Sequence, residues 1–170
     1  MTASGGWDWL VRLSHWSVVV LFSLNYFVVS PDEYTHVQIG YAVAAVVAVR
    51  ILWGFTFARG ANRILSFVPT PSGVKKHLRE LQERQPPEEP QHNSLGAIAI
   101  WLMWIGLLAV PATGWLFDNT DWGFDNDLDR VHKQLGQWLF YLICIHVAAV
   151  VLTSLWLKRN LVKAMVTGRF

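Results

Sequence analysis

Long apolar stretches separated by polar segments dominate the chain. Four of them approach or exceed the ~20 residues that a helix needs to cross a bilayer: residues 10–30, 37–57, 95–117 and 135–157. A polar connection, residues 58–94, joins the second stretch to the third. The pattern predicts an all-α membrane protein in which residues 1–170 form one domain, a four-helix transmembrane bundle.

The polar connection has a helical pattern of its own. Val74, Leu78 and Leu81 recur at helical spacing, and a run of prolines and glutamates follows at residues 86–90. We interpret the connection as a short surface helix followed by a stiff linker.

Composition supports a lipid environment. Of the 170 residues, 53% are hydrophobic and 15% are charged, and a water-soluble domain of this size would struggle to cover so much apolar surface. The net charge is only +2 and no basic stretch alternates with aromatic residues, which argues against a nucleic-acid partner. The first apolar stretch lacks a small-residue cleavage site, so we interpret it as a retained span rather than a signal peptide.

Charged residues divide between the two sides of the predicted bundle. The connection between the first two spans has no Lys or Arg, and residues 118–134 contain five Asp against Arg130 and Lys133. The opposite side collects basic residues: Arg12, Arg59, Arg63, Lys75, Lys76, Arg79, Arg84, Lys158, Arg159, Lys163 and Arg169. The positive-inside rule assigns the basic side to the cytoplasm, so both termini are predicted to be cytoplasmic.

Four of the six histidines lie in the spans or at their ends: His15, His36, His132 and His146. His132 and His146 are 14 residues apart, which in an α-helix means roughly 21 Å of rise and roughly 40° of rotation. Both therefore point to the same side of the bundle at two depths. Matching depths pairs His36 with His132 near the outer face and His15 with His146 nearer the inner face.

Paired imidazoles inside a membrane predict two haem sites. Ionisable groups there are costly and usually functional, and imidazole is a normal axial ligand of haem iron. Zinc fits less well because it prefers three or four ligands and the spans contain no Asp or Glu. Cys144 is the only cysteine, so the two-cysteine motif that attaches haem covalently is absent and each haem is predicted to be a non-covalent haem b. The alternative to haem binding is that the histidines are interfacial or core residues. Gly40 and Gly136 would leave room for a flat macrocycle, although small residues also serve ordinary helix packing.

Two arginines extend the predicted inner site. Arg50 is the one charged residue well inside a span, and it stands 14 residues after His36, near the depth of the inner site. A haem propionate would be its natural partner. Arg12 precedes His15 by one helical turn and serves either the same haem or as a positive-inside anchor.

The motifs of the chain resemble those of a known family. They are Trp7-Asp8 with Arg12, His15-Trp16, His36-Val-Gln-Ile-Gly40-Tyr41, Arg50, Trp53-Gly54, His92-Asn93-Ser94-Leu95-Gly96, and His132 to Gly136 with His146. Together they are similar to the bacterial cytochrome b561 and nickel-iron hydrogenase b-type cytochrome group, akin to the formate dehydrogenase gamma subunit. The chain departs from the family pattern at Ser94, where proline is common, and in lacking a proline between Asp8 and Arg12.

The resemblance implies the same bis-histidine pairing, no ligand from the third span, and His92 as a motif residue outside the iron ligands. It also implies a multi-pass protein of the bacterial inner membrane that moves electrons between quinone and a periplasmic redox protein, such as a hydrogenase or a cytochrome c. Because related subunits bind quinone beside the cytoplasmic haem, we expect quinone near His15, His146 and Arg50. The sequence leaves open whether the chain forms a homodimer.

Two other functions compete with electron transfer to a protein partner. The first is superoxide oxidation, in which the outer haem takes an electron from superoxide and passes it to quinone, as some relatives do. The acidic outer loop argues against this function because it repels an anion. In the second, the chain is a non-redox membrane scaffold or metal transporter with packing histidines. An absorption spectrum separates the second function from the others because a protein without haem is colourless.

Overall fold

Each apolar stretch forms one long helix in the computed structural model, which describes residues 6–58, 60–83, 94–125 and 127–169. The helices of these residues are α1 (Trp9–Phe27), α2 (Tyr34–Thr56), α3 (Pro71–Gln82), α4 (Ser94–Asn119), α5 (Asp121–Asp125), α6 (Leu128–Trp156) and α7 (Leu161–Thr167). Helices α1, α2, α4 and α6 are long and apolar enough to cross a membrane. The described part of the chain contains no strand, so the protein is all-helical with four candidate spans.

The shorter helices lie outside the spans. Two 3-10 turns, Gly60–Asn62 and Ile64–Phe67, precede α3 in the polar connection. Helix α3 contains Val74 and corresponds to the surface helix that the spacing of apolar residues in the polar connection predicts. The proline-rich segment 86–90 and His92 lie outside the described residues.

Helix α6 begins at Leu128, seven residues before its apolar stretch. Its first turns are polar, and the side chains of Asp129 and Lys133 form a 2.8 Å ion pair across one turn. Pairs at this spacing stabilise a helix without contributing to its hydropathy. As a result, His132 lies inside α6 rather than in the loop before it.

Helices α1 and α6 run antiparallel. At one end the Tyr26 ring stacks on Phe140 with a centroid separation of 4.7 Å. At the other end Arg12 Nη1 donates to the carbonyl oxygen of Val166 in α7 at 2.6 Å. The first and last segments of the described chain therefore meet at the same end of the bundle.

The apolar core lies midway along the bundle. Val43, Val47, Leu107 and Leu139 pack together from α2, α4 and α6, and each is between 2% and 7% exposed. A smaller cluster packs the fully buried Ile64 against α4. Many large apolar side chains on the outer faces are exposed, as expected where lipid rather than water surrounds the helices.

Candidate functional site

At one end of the bundle, His36 of α2 faces His132 of α6. Their ring centres are 6.2 Å apart and the ring planes are inclined by 69°. Two imidazoles that bind one metal from opposite sides, with bonds about 2 Å long, have ring centres about 6 Å apart. The separation therefore fits a metal between the two rings.

The second predicted pair consists of His15 of α1 and His146 of α6. Their imidazoles are close enough to interact electrostatically. The His15 ring also meets the Trp16 ring edge to face, with a centroid separation of 5.3 Å. Helix α6 thus contributes one histidine to each pair, while α1 and α2 contribute the partners.

Buried polar atoms without hydrogen-bond partners are concentrated in the predicted site residues. Across the described part of the chain, six buried side-chain nitrogen or oxygen atoms lack a partner. Four of the six are Arg12 Nε, His15 Nδ1, His36 Nδ1 and Arg50 Nη1. Because buried polar groups are normally satisfied, this concentration indicates a site that a bound group completes.

The donor set and the space beside it fit haem better than zinc. Within the described ranges, no group of three or more His, Cys, Asp or Glu residues could hold a metal ion, whereas a structural zinc site needs four ligands. Haem iron takes four nitrogens from its macrocycle and needs only two from the protein. A Cβ added to Gly40 or Gly136 would meet no atom within 4 Å, so the space beside both glycines is open.

Arg50 is buried, with 7% of its surface exposed. Its Nη2 donates to the carbonyl oxygen of Asn62 at 3.3 Å, and its guanidinium lies 5.5 Å from the ring centre of Trp104, a cation–π contact. The Asp8 carboxylate attracts the guanidinium as well. Gly54 leaves room for Nη1, since a Cβ there would lie 2.6 Å from that atom. The unpaired Nη1 is available to an anionic group.

Asp8 links α1 to α2 at the same end of the bundle. Its Oδ1 accepts the Leu10 N–H at 3.2 Å, and its Oδ2 accepts the indole N–H of Trp53 at 3.1 Å. Its own N–H donates to Oδ1 of Asn62 at 3.2 Å. An Asp directly before an apolar stretch is typical of a helix N-cap, so the sequence contained a signal for the first of these contacts.

Arg12 and Trp16 hold the C-terminal helix against α1. Arg12 Nη1 donates to the Val166 carbonyl at 2.6 Å, and Trp16 Nε1 donates to the Met165 carbonyl at 3.4 Å. Both carbonyls belong to the last turn of α7, where a cation interacts favourably with the helix dipole. Arg12 therefore has a partner in α7 that neither of its predicted roles anticipated.

Helix α4 carries no histidine, yet it contacts His132 directly. The Nδ1 atom of His132 lies 2.9 Å from the carbonyl oxygen of Val110 and 3.4 Å from Oγ1 of Thr113. A Cβ on Gly114 would lie 3.2 Å from the imidazole. The sequence alone does not reveal these contacts, because Val110 to Gly114 is simply part of an apolar span.

Comparison with known proteins adds one assignment to this geometry. A family model described as prokaryotic cytochrome b561 matches residues 6–168. No curated protein and no solved structure matches the chain. The family match covers all four paired histidines and confirms the resemblance drawn from the sequence motifs.

Proposed function

The chain belongs to the prokaryotic cytochrome b561 family, and from that premise we propose that it is a dihaem electron carrier. Membership makes it a b-type cytochrome that binds haem and takes part in electron transfer. Its four candidate spans make it a multi-pass bacterial membrane protein. The proposal adds two haems b, the inner membrane, and electron transfer between quinone and a periplasmic redox protein. The observation that carries the proposal is that α6 supplies one histidine to each of two histidine pairs.

In this proposal His36 and His132 ligate the iron of an outer haem, and His15 and His146 ligate the iron of an inner haem. Bound haem b supplies reversible one-electron chemistry between ferric and ferrous iron. With two imidazoles held at each iron, no coordination position would stay open for oxygen, which suits electron transfer rather than oxygen binding.

Arg50 binds a propionate of the inner haem in the same proposal. Its burial and its unpaired Nη1 support this role, because a buried guanidinium is stable only when anionic or carbonyl groups surround it. The contacts with Asn62 and Trp104 hold the rest of the guanidinium in place. The open space beside Gly40 of α2 and beside Gly136 of α6 supports room for a flat macrocycle.

We assign the end of the bundle that holds His15 and Arg50 to the cytoplasm and place the quinone there. The clustered basic residues of that end support the orientation. A quinone carbonyl accepts hydrogen bonds, and Arg50 Nη1 carries two N–H groups, one for the propionate and one for the quinone.

The opposite end carries exposed carboxylates beside α5: Asp118, Asp121 and Asp127. A negative surface attracts a basic protein and repels superoxide. This charge supports a redox protein, rather than superoxide, as the periplasmic partner.

A pyridine haemochrome assay on purified protein of known concentration tests the proposal. Two haems b per chain are expected. One haem per chain would contradict the dihaem assignment, and a colourless protein prepared with adequate haem supply would contradict haem binding altogether.

A further inference from the structure

We propose that α4 positions the outer ligand His132 through the Val110 carbonyl, the Thr113 hydroxyl and the missing side chain of Gly114. The inference rests on the proposed function, in which His132 binds haem iron. It makes a span without ligands responsible for the orientation and basicity of a ligand on α6.

The contact with Val110 determines which nitrogen of His132 carries the proton. A carbonyl oxygen only accepts hydrogen bonds, so the Nδ1 atom 2.9 Å away is the protonated one. The Nε2 atom then keeps its lone pair for a metal. A hydrogen bond from the second ring nitrogen also fixes the orientation of a histidine ligand and raises its basicity.

Thr113 borders the same ring nitrogen. Its hydroxyl donates within α4, to the Val110 carbonyl at 2.8 Å or the Ala109 carbonyl at 3.1 Å. The hydroxyl oxygen therefore presents its lone pairs to Nδ1 of His132 at 3.4 Å. At that distance it is a weak second acceptor, which limits rotation of the imidazole away from Val110.

Gly114 makes the approach of the imidazole sterically feasible. It stands four residues after Val110, and because helical Cα–Cβ bonds tilt toward the N-terminus, a side chain here would lie over the turn of Val110. A Cβ would lie 3.2 Å from both Cε1 and Nδ1 of His132, closer than ordinary van der Waals contact. The ring would have to move away from the carbonyl to accommodate it.

The arrangement belongs to the outer pair. In the inner pair, Nδ1 of His15 has no hydrogen-bond partner in the described ranges. Loss of the α4 contact should therefore change the outer haem and leave the inner haem as it is.

Gly114→Ala is the primary test, and Gly106→Ala is its matched control. Gly106 lies on the same helix and also faces α6, but a Cβ there would meet the flexible end of Leu139, at 3.0 Å, instead of a ligand. In detergent-purified protein, Gly114→Ala should weaken haem retention at the outer site by about ten- to a hundredfold, the usual effect of losing a partner of a metal ligand. The control should retain both haems.

The reduction potentials distinguish ligand positioning from general loosening. A less basic imidazole stabilises ferric iron less, so the outer haem of Gly114→Ala should titrate at a more positive potential, by about 59 mV for each tenfold change in ferric over ferrous preference. The haem that survives in His36→Ala identifies the inner potential. Thr113→Val should alter the outer potential or its ferric electron paramagnetic resonance signal, and Thr113→Ser, which keeps the hydroxyl, should not.

The outcomes separate this inference from the proposed function. Parent protein without haem would refute the proposed function and the inference with it. Parent protein with two haems, together with a Gly114→Ala variant that matches Gly106→Ala in haem content and potentials, would refute the inference alone. If Gly114→Ala does not accumulate, identical outer-haem spectra and potentials in Thr113→Val and Thr113→Ser would refute it instead.

Discussion

Replacing Asp8 by alanine removes two hydrogen bonds at the end of the bundle that holds His15. Asp8 Oδ1 accepts the Leu10 N–H at 3.2 Å, and Oδ2 accepts the Trp53 indole N–H at 3.1 Å. An N-cap contributes about 1 kcal/mol, and a partly buried side-chain hydrogen bond contributes about 1 kcal/mol. Asp8→Ala should therefore lower the free energy of unfolding by about 2 kcal/mol.

Trp53→Phe is the matched partner variant because it keeps an aromatic ring and removes only the indole N–H. It should cost about 1 kcal/mol. If the two side chains interact as the structure indicates, the double variant costs about 2 kcal/mol instead of the additive 3 kcal/mol or so, a coupling energy of about 1 kcal/mol.

Thermal unfolding in detergent, followed by tryptophan fluorescence, measures these costs. In a chain of this size about 1 kcal/mol shifts Tm by about 2–4 °C, so Asp8→Ala should lower Tm by about 4–8 °C. Asp32→Ala, at an exposed position before α2, is the control and should change stability by less than about 0.5 kcal/mol. Additive shifts in the double variant would refute the link between Asp8 and Trp53, and an Asp8→Ala shift no larger than the control would refute both contacts.

Three further predictions follow from the proposed function. His36→Ala and His132→Ala should each remove the same one of two haems in the haemochrome assay, whereas His77→Ala in α3 should keep both; loss of a haem in the α3 variant would contradict the pairing. A phosphatase fused to the C-terminus should be inactive because that end is assigned to the cytoplasm, and an active fusion would reverse the topology. Arg50→Ala protein that retains both haems should be reduced by quinol roughly tenfold more slowly, the effect of about 1.4 kcal/mol on the barrier; an unchanged rate with unshifted potentials would remove Arg50 from the quinone site.

The spans and the histidine spacing could be predicted because both are properties of single helices. An apolar length of ~20 residues is sufficient to identify a span, and the interval between His132 and His146 sets their rotation about one axis. The structure brings His36 and His132 together, as depth matching predicts, with 6.2 Å between their ring centres. Family membership also followed from the motifs, since they are spread over nearly the whole matched range, residues 6–168.

Contacts that depend on how separate helices rotate against one another could not be predicted. Helix α4 is apolar on all of its own faces, so its sequence pattern does not show which face meets His132. The bond from Arg12 to Val166 joins residues 154 positions apart, and α7 is too short to be placed by hydropathy. Asp8 belongs to a sequence motif, but its bond to Trp53 requires α1 and α2 to be aligned in space.

One helix carries a ligand for each proposed haem, and this separates the influences on the two sites. Helix α6 is continuous from Leu128 to Trp156 and contains no proline, so the rise of roughly 21 Å between its two histidines is set by a single rigid element. The other ligands lie on different helices, His15 on α1 and His36 on α2, so a movement of α1 alters the inner pair and a movement of α2 the outer pair. Only a distortion of α6 between its histidines reaches both ligand pairs, although α2 also carries Arg50 at the inner site. Leu139, midway between them and 4% exposed, belongs to the central core cluster. Substitutions that remove side-chain volume from this core, such as Leu139→Ala, should therefore disturb both haems together, whereas substitutions at either end of the bundle should disturb one.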